Sequence, residues 1–201
     1  MTDYTDIDTL YAFVEDYVKS HNLEQSMKAL PFAYEAHKNQ LRKDKHCKVP
    51  YIAHPLLICC HAINMGLDDD YIIATALLHD VCEDCGYTID ELPVNESVRT
   101  AVGLLTKDAD VVAGSEKARE YYDNIANNKI AIIVKLLDRC NNISSMSYAF
   151  SEKKKQDYID RTKKYVFPLF DKLLELSPEY ERYVWLIKYH MISVIDAVNC
   201  K

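Results

Sequence analysis

The residues able to do chemistry in this chain are charged and polar groups set into apolar helix. The run Tyr71-Ile72-Ile73-Ala74-Thr75-Ala76-Leu77-Leu78 is apolar nearly all round and passes directly into His79-Asp80-Val81-Cys82-Glu83-Asp84. A helix apolar on every side is a buried one, and a carboxylate there is costly unless it is paired or coordinates a metal. Residues four apart share a helix face, so His79 stands above Glu83 and Asp80 above Asp84, and two polar stripes converge where the buried helix ends. A second apolar run, Ile130-Ala131-Ile132-Ile133-Val134, continues through Lys135-Leu136-Leu137 to Asp138, with Asn142 four residues on. A third segment, Pro50-Tyr51-Ile52-Ala53-His54-Pro55, sets His54 before a helix that Pro55 can start.

Together His54, His79, Asp80 and Asp138 supply two imidazoles and two carboxylates. That donor set suits a divalent cation such as Mn²⁺, Fe²⁺ or Zn²⁺. Four protein ligands leave a six-coordinate ion room for water and a phosphate oxygen, the arrangement that acidifies the water and stabilises phosphoryl charge. Glu83 and Asp84 are then placed to position that water or take its proton. Each residue also has an ordinary reading: His54 as a satisfied surface or core histidine, His79-Asp80 as a helix-end pair, Asp138 as half of a salt bridge with Lys135 or Arg139. Their joint occurrence where three apolar segments end favours the metal site.

The elements that must hold these residues read as helices. Only four glycines occur in 201 residues, with no Asn-Gly or Asp-Gly pair, which leaves hairpin turns without their usual residues. Apolar spacing predicts helices over about 6–19, 25–41, 54–65, 68–83, 94–106, 115–127, 129–147, 151–176 and 178–199. Gly66, Gly86, Pro93 and Gly114 punctuate them, and Pro31 and Pro168 mark kinks or helix starts. The expectation is an all-α fold: a single compact domain, residues 1–201, of about nine helices.

Composition narrows the function. A net charge of −7 argues against a long nucleic-acid polymer as partner. Lys153-Lys154-Lys155, Arg161, Lys163 and Lys164 interleave with Glu152, Asp157 and Asp160, as on a solvated face. No apolar run approaches the length of a membrane span, and the acidic N-terminus lacks a signal-peptide pattern. Seven scattered cysteines suit a reducing cytoplasm, and Cys82-Glu83-Asp84-Cys85 has no second pair to complete a zinc site. The fifteen tyrosines fall largely on apolar stripes and read as packing.

The segments YIAHP (51–55), ALLHDVCED (76–84) and VKLLDRCNN (134–142) resemble the HD-domain phosphohydrolases, and within them the hydrolase domain of the RelA/SpoT-type alarmone enzymes. Ala36-His37-Lys38-Asn39-Gln40-Leu41-Arg42-Lys43 resembles the stretch before that family's first metal histidine. The likeness spans about residues 25–150, with 151–201 expected as helices packing on that core. It implies a Mn²⁺-dependent hydrolase that removes the 3′-pyrophosphate of (p)ppGpp, a small-molecule nucleotide. By position it makes His54, His79, Asp80 and Asp138 metal ligands and Glu83 and Asp84 the residues that activate water. It sets Arg42 and Lys43 beside base and phosphates, Asn142 at the nucleoside, and Ser145 near the base.

The chain has no stretch matching the synthetase or regulatory domains of long family members, so it reads as a stand-alone small alarmone hydrolase. The Lys45–Val49 loop is longer than the family's, and Leu137 stands where the family has alanine; guanine and adenine alarmones both stay open as substrates. Competing readings are an HD phosphohydrolase for nucleoside monophosphates or the 2′-phosphate of NADPH, and a non-catalytic nucleotide-binding partner. Tyr183, Trp185, Leu186 and Tyr189 on the last helix suit a homodimer interface and suit core packing equally.

Overall fold

A computed structural model describes residues 6–42 and 49–199. The described residues divide into two compact units, the first running up to Lys107 and the second beginning at Asp108. Among the described residues there is no strand, only an isolated bridge between Leu41 and Pro50, so the all-α expectation holds. No helix among them is long and apolar enough to cross a membrane.

The first unit holds α1 (Ile7–Ser20), α2 (Glu24–Ala36), α3 (Ala53–Met65), α4 (Asp70–Leu78), α5 (Val81–Cys85) and α6 (Glu96–Leu105). Helix α4 is its centre: every residue from Ile72 to Leu78 is buried, and α2, α3 and α6 pack on it. Asp69 caps α4 through the Tyr71 and Ile72 N–H groups. The next residue, Asp70, caps a different helix. Leu23, the N-cap of α2, has no side-chain acceptor, and the Asp70 carboxylate takes the Gln25 and Ser26 N–H groups at 2.9 and 2.8 Å. The start of α2 is thus fastened to the start of α4.

The second unit holds α7 (Glu116–Ile125), α8 (Lys129–Ala149), α9 (Glu152–Arg161), α10 (Phe167–Leu176) and α11 (Glu181–Asn199). Helix α8 is its centre, with α7, α10 and α11 packed on it. Along α9 the polar side chains pair with one another, Lys155 with Glu152 at 2.7 Å and the Gln156 amide donating to Asp160 at 2.9 Å, as a solvated face does.

All nine predicted segments are present, and two of them are divided, giving eleven α-helices among the described residues. The 68–83 segment is interrupted at His79-Asp80, which are the C-cap of α4 and the N-cap of α5. The 151–176 segment passes through a π-helical turn, Thr162–Val166, before α10. Pro168, second in α10, has no N–H to continue the ladder behind it, and a helix start is where that costs nothing. Pro31 by contrast lies inside α2. That helix stops at Ala36 rather than near 41, because Lys38-Asn39-Gln40 offers no apolar face to bury.

Candidate active site

His54 is the second residue of α3, and Pro55 occupies the first turn of that helix, where a missing N–H is harmless. His79 and Asp80 occupy the break between α4 and α5. The two elements bring the three side chains into one cluster, with donor atoms all within 4.8 Å of one another. Nε2 of His79 is 3.0 Å from Oδ2 of Asp80, and Nε2 of His54 is 3.7 Å from the same oxygen. The imidazoles meet edge to face, 5.2 Å between centroids. Both histidines are buried, while Asp80 keeps a partly open side chain.

The hydrogen bonding fixes which nitrogen of His79 is available. Its Nδ1 lies 2.8 Å from the Ala76 carbonyl, which can only accept, so Nδ1 carries the proton. In the neutral ring Nε2 then presents a lone pair, and it faces a carboxylate oxygen. Two acceptors at 3.0 Å are held together by a shared proton or by a cation, and a histidine bound through one nitrogen while the other donates to a carbonyl is how metal-ligating imidazoles are set. The donor set fits a divalent cation. Among the described residues this is the one group of three or more His, Cys, Asp or Glu side chains so placed.

Tyr51 and His37 extend the cluster outward. The Tyr51 hydroxyl donates to Oδ2 of Asp80 at 2.5 Å. Its ring stacks on that of His37, 4.8 Å between centroids at 27°, and meets His54 edge on at 5.9 Å. The Tyr51 N–H donates to the Gln40 carbonyl at 2.8 Å, and the Gln40 side-chain oxygen lies 2.6 Å from Nδ1 of His37. Neither Tyr51 nor His37 was assigned a role from the sequence, although both stand in motif segments. The available signal was an aromatic three residues before a candidate ligand, at helix-entry spacing.

Glu83 and Asp84 are exposed on α5. Glu83 accepts the Lys107 N–H at 3.0 Å, and the Asp84 N–H donates to the Asp80 carbonyl at 2.9 Å. The backbone N–H of Arg42 donates to the Val49 carbonyl at 2.9 Å. Lys43 lies outside the described residues. Burial, followed by the charges of Asp84 and Asp80, pushes the Cys85 thiol up to about 11, and burial also raises Cys82.

In the second unit Asp138 is buried on α8. Asn142, one turn on, donates to its Oδ1 at 2.5 Å, and Ser145 donates to the Asn142 carbonyl at 3.2 Å. Lys135 lies 3.4 Å from Oδ2 of Asp138. Burial works against charge on Lys135, but the neighbouring Tyr121 and Asp138 outweigh it and the ammonium is held well above its usual range; near neutrality, with the phenol protonated, Asp138 supplies the negative charge. Arg139, the other partner considered for Asp138, turns elsewhere. Its guanidinium lies 4.1 Å from the Tyr158 ring centroid and donates to Thr162 and Tyr122 at 3.2 and 3.3 Å.

A guanosine-3′,5′-bis(diphosphate) 3′-pyrophosphohydrolase of Aquifex aeolicus is 34% identical over 171 residues, 83% of this chain and 24% of that protein. The Xenopus tropicalis guanosine-3′,5′-bis(diphosphate) 3′-pyrophosphohydrolase MESH1 is 33% identical over 141 residues, 66% of this chain and 77% of the relative. The chain belongs to the RelA/SpoT-type HD hydrolase family. It spans about a quarter of the length of the Aquifex protein and most of the short frog member. The structure of a metazoan SpoT ortholog, described as hydrolysing ppGpp, superposes with a TM-score of 0.65 at 21% identity, over 87% of this chain and 95% of that one, and shows the same all-helical fold. No protein-family model matches the chain.

Proposed function

We propose that this family member hydrolyses the 3′-pyrophosphate of guanosine alarmones, taking up one water per ppGpp and giving GDP and pyrophosphate. The observation that carries the reading is the convergence of His54, His79 and Asp80, with the lone pair of His79 Nε2 facing Asp80, in a chain similar over most of its length to proteins named for this reaction, the short frog member among them. We assign those three residues to a divalent cation, Mn²⁺ before Fe²⁺ or Zn²⁺. When bound, such a cation acidifies water and stabilises charge on the phosphoryl group.

The chain's own residues do the rest. Glu83 and Asp84, the exposed carboxylates one turn past the ligand pair, accept the proton of the attacking water and orient it. For Asp138 as a further ligand, and for Arg42, Lys43, Asn142 and Ser145 as substrate contacts, the support is the family motif. The proposal takes residues 1–201 as one hydrolase domain and places it in the cytoplasm, which the seven thiols favour.

The test is incubation with ppGpp and Mn²⁺, with and without chelator. Chelator-sensitive formation of GDP and pyrophosphate is expected. Metal binding without turnover of ppGpp, but with turnover of an adenine alarmone or NADPH, would replace the substrate and keep the site.

A further inference from the structure

Helix α11 carries a face that no described residue covers. Trp185, Leu186, Tyr189 and Ile192 are exposed to 62, 37, 60 and 39%, while Val184, Ile187, Met191 and Ile195 bury the opposite side. The Trp185 and Tyr189 rings lie flat on one another, 5.2 Å between centroids and 1° apart in plane, forming one continuous aromatic surface. Core packing, the alternative reading of these residues, does not account for it.

We propose that this face is the seam of a homodimer in which α11 pairs antiparallel with α11 of a second copy, about a two-fold axis at Tyr189. The seam is Arg182, Trp185, Leu186, Tyr189, Ile192, Ser193 and Asp196, all exposed and recurring at three and four residues, the spacing that keeps one stripe facing a partner helix. An isologous contact must be complementary to itself, and this stripe is. In the antiparallel register about Tyr189, Leu186 meets the second copy's Ile192, Trp185 meets the small Ser193, and Arg182 meets Asp196. Among the described residues neither Arg182 nor Asp196 has an ion pair, and the Arg182 guanidinium lies 5.5 Å from the Tyr183 ring centroid. A parallel pairing would set Arg182 on Arg182 and Asp196 on Asp196, so charge selects the antiparallel arrangement. A patch of this kind, apolar in the middle with opposite charges at its ends, suits a second copy of the chain better than a nucleic acid or a uniformly charged partner.

The experiment is sedimentation equilibrium of the full chain as wild type and as R182D, D196R and R182D/D196R, with circular dichroism confirming the fold of each. Wild type is expected at twice the 23.2 kDa chain mass. Each single reversal puts two like-charge contacts into the dimer and is expected to weaken it about tenfold; the double swap restores it. Arg182 and Asp196 stand about 21 Å apart along one helix, so rescue has no explanation inside a single chain. A wild type that stays monomeric at every concentration overturns the proposal, as does a dimer indifferent to the single reversals or one the double swap fails to restore. Y189D, which places like charges on the axis at an exposed position, is expected to give a folded monomer; a dimer persisting in Y189D counts against this face.

Discussion

Tyr51 donates its hydroxyl to Oδ2 of Asp80, the same oxygen that faces His79 and His54. The bond fixes the rotamer of the one candidate ligand that is not buried, and the stack of Tyr51 on His37 fixes the tyrosine in turn. Y51F keeps the ring and its packing and removes only the hydroxyl. Losing a group that holds a metal ligand in place costs roughly 10–100-fold in metal affinity. Calorimetric Mn²⁺ titration is expected to show a Kd raised by that factor with an unchanged thermal midpoint. Equal affinity in wild type and Y51F would remove Tyr51 from the positioning role while leaving the metal site itself intact.

Asp80 and Glu83 stand one turn apart and are predicted to fail differently. D80A removes a ligand, so it loses more Mn²⁺ affinity than Y51F and loses chelator-sensitive hydrolysis with it. E83Q keeps an oxygen for the Lys107 N–H and should bind Mn²⁺ as wild type does, while kcat falls by roughly 10²–10⁴-fold, the range for a lost general base. Parallel titrations and steady-state kinetics separate the two, and an unchanged kcat in E83Q would take Glu83 out of the chemistry.

His37 titrates with a stability signature. Burial lowers its pKa from the ordinary 6.5, with Gln40 opposing the shift. Asp80 and Asp84 also favour the charged ring, and His79 disfavours it. The unfolded chain therefore binds more protons than the folded one just below pH 6.5, and stability is lost as pH falls from there toward the folded pKa. One such proton is worth at most about 1.4 kcal/mol per pH unit. Urea unfolding of the metal-free protein between pH 7 and 5 is expected to show a steeper loss in wild type than in H37F. Parallel profiles would assign the acid lability to other groups.

Arg139 is a buried guanidinium that meets an aromatic ring, a hydroxyl and a phenol, with Nε making no hydrogen bond among the described residues. A desolvated cation–π contact contributes about 2 kcal/mol, and two hydrogen bonds add to it, against the cost of burying the charge. R139A is expected to lower unfolding stability by about 2 kcal/mol. A change within error would mean that the desolvation cost cancels those contacts.

Much of the fold was legible because helices announce themselves locally. The apolar run 71–78 required a buried helix, and α4 is buried along Ile72–Leu78. Asn95, Ser115, Asn128 and Ser151 cap the helices they precede. Where the reading failed, a longer-range force intervened. Periodicity ran 68–83 together as one helix, because apolar spacing carries no record of the backbone break at His79-Asp80. The same blindness applies to α11, where an apolar stripe looks alike whether it faces a core or a second molecule; only exposure separates Val184 from Trp185.

By itself the sequence determined which residue types end each apolar run, since setting His79 and Asp80 at the end of a buried helix demands a partner for them whatever the topology. It could also state the family, because short motifs survive as contiguous text. What only tertiary structure decided is the direction of each group. Residues 54 and 80 are separated by a whole helix in sequence, and the packing of α3 on α4 brings their side chains to one point. The Ala76 carbonyl sets the proton on His79, and Tyr51 holds Asp80 from a third element. Pattern fixes composition along a helix face, but hydrogen bonds between elements fix orientation, and orientation is what turns buried polar residues into a site.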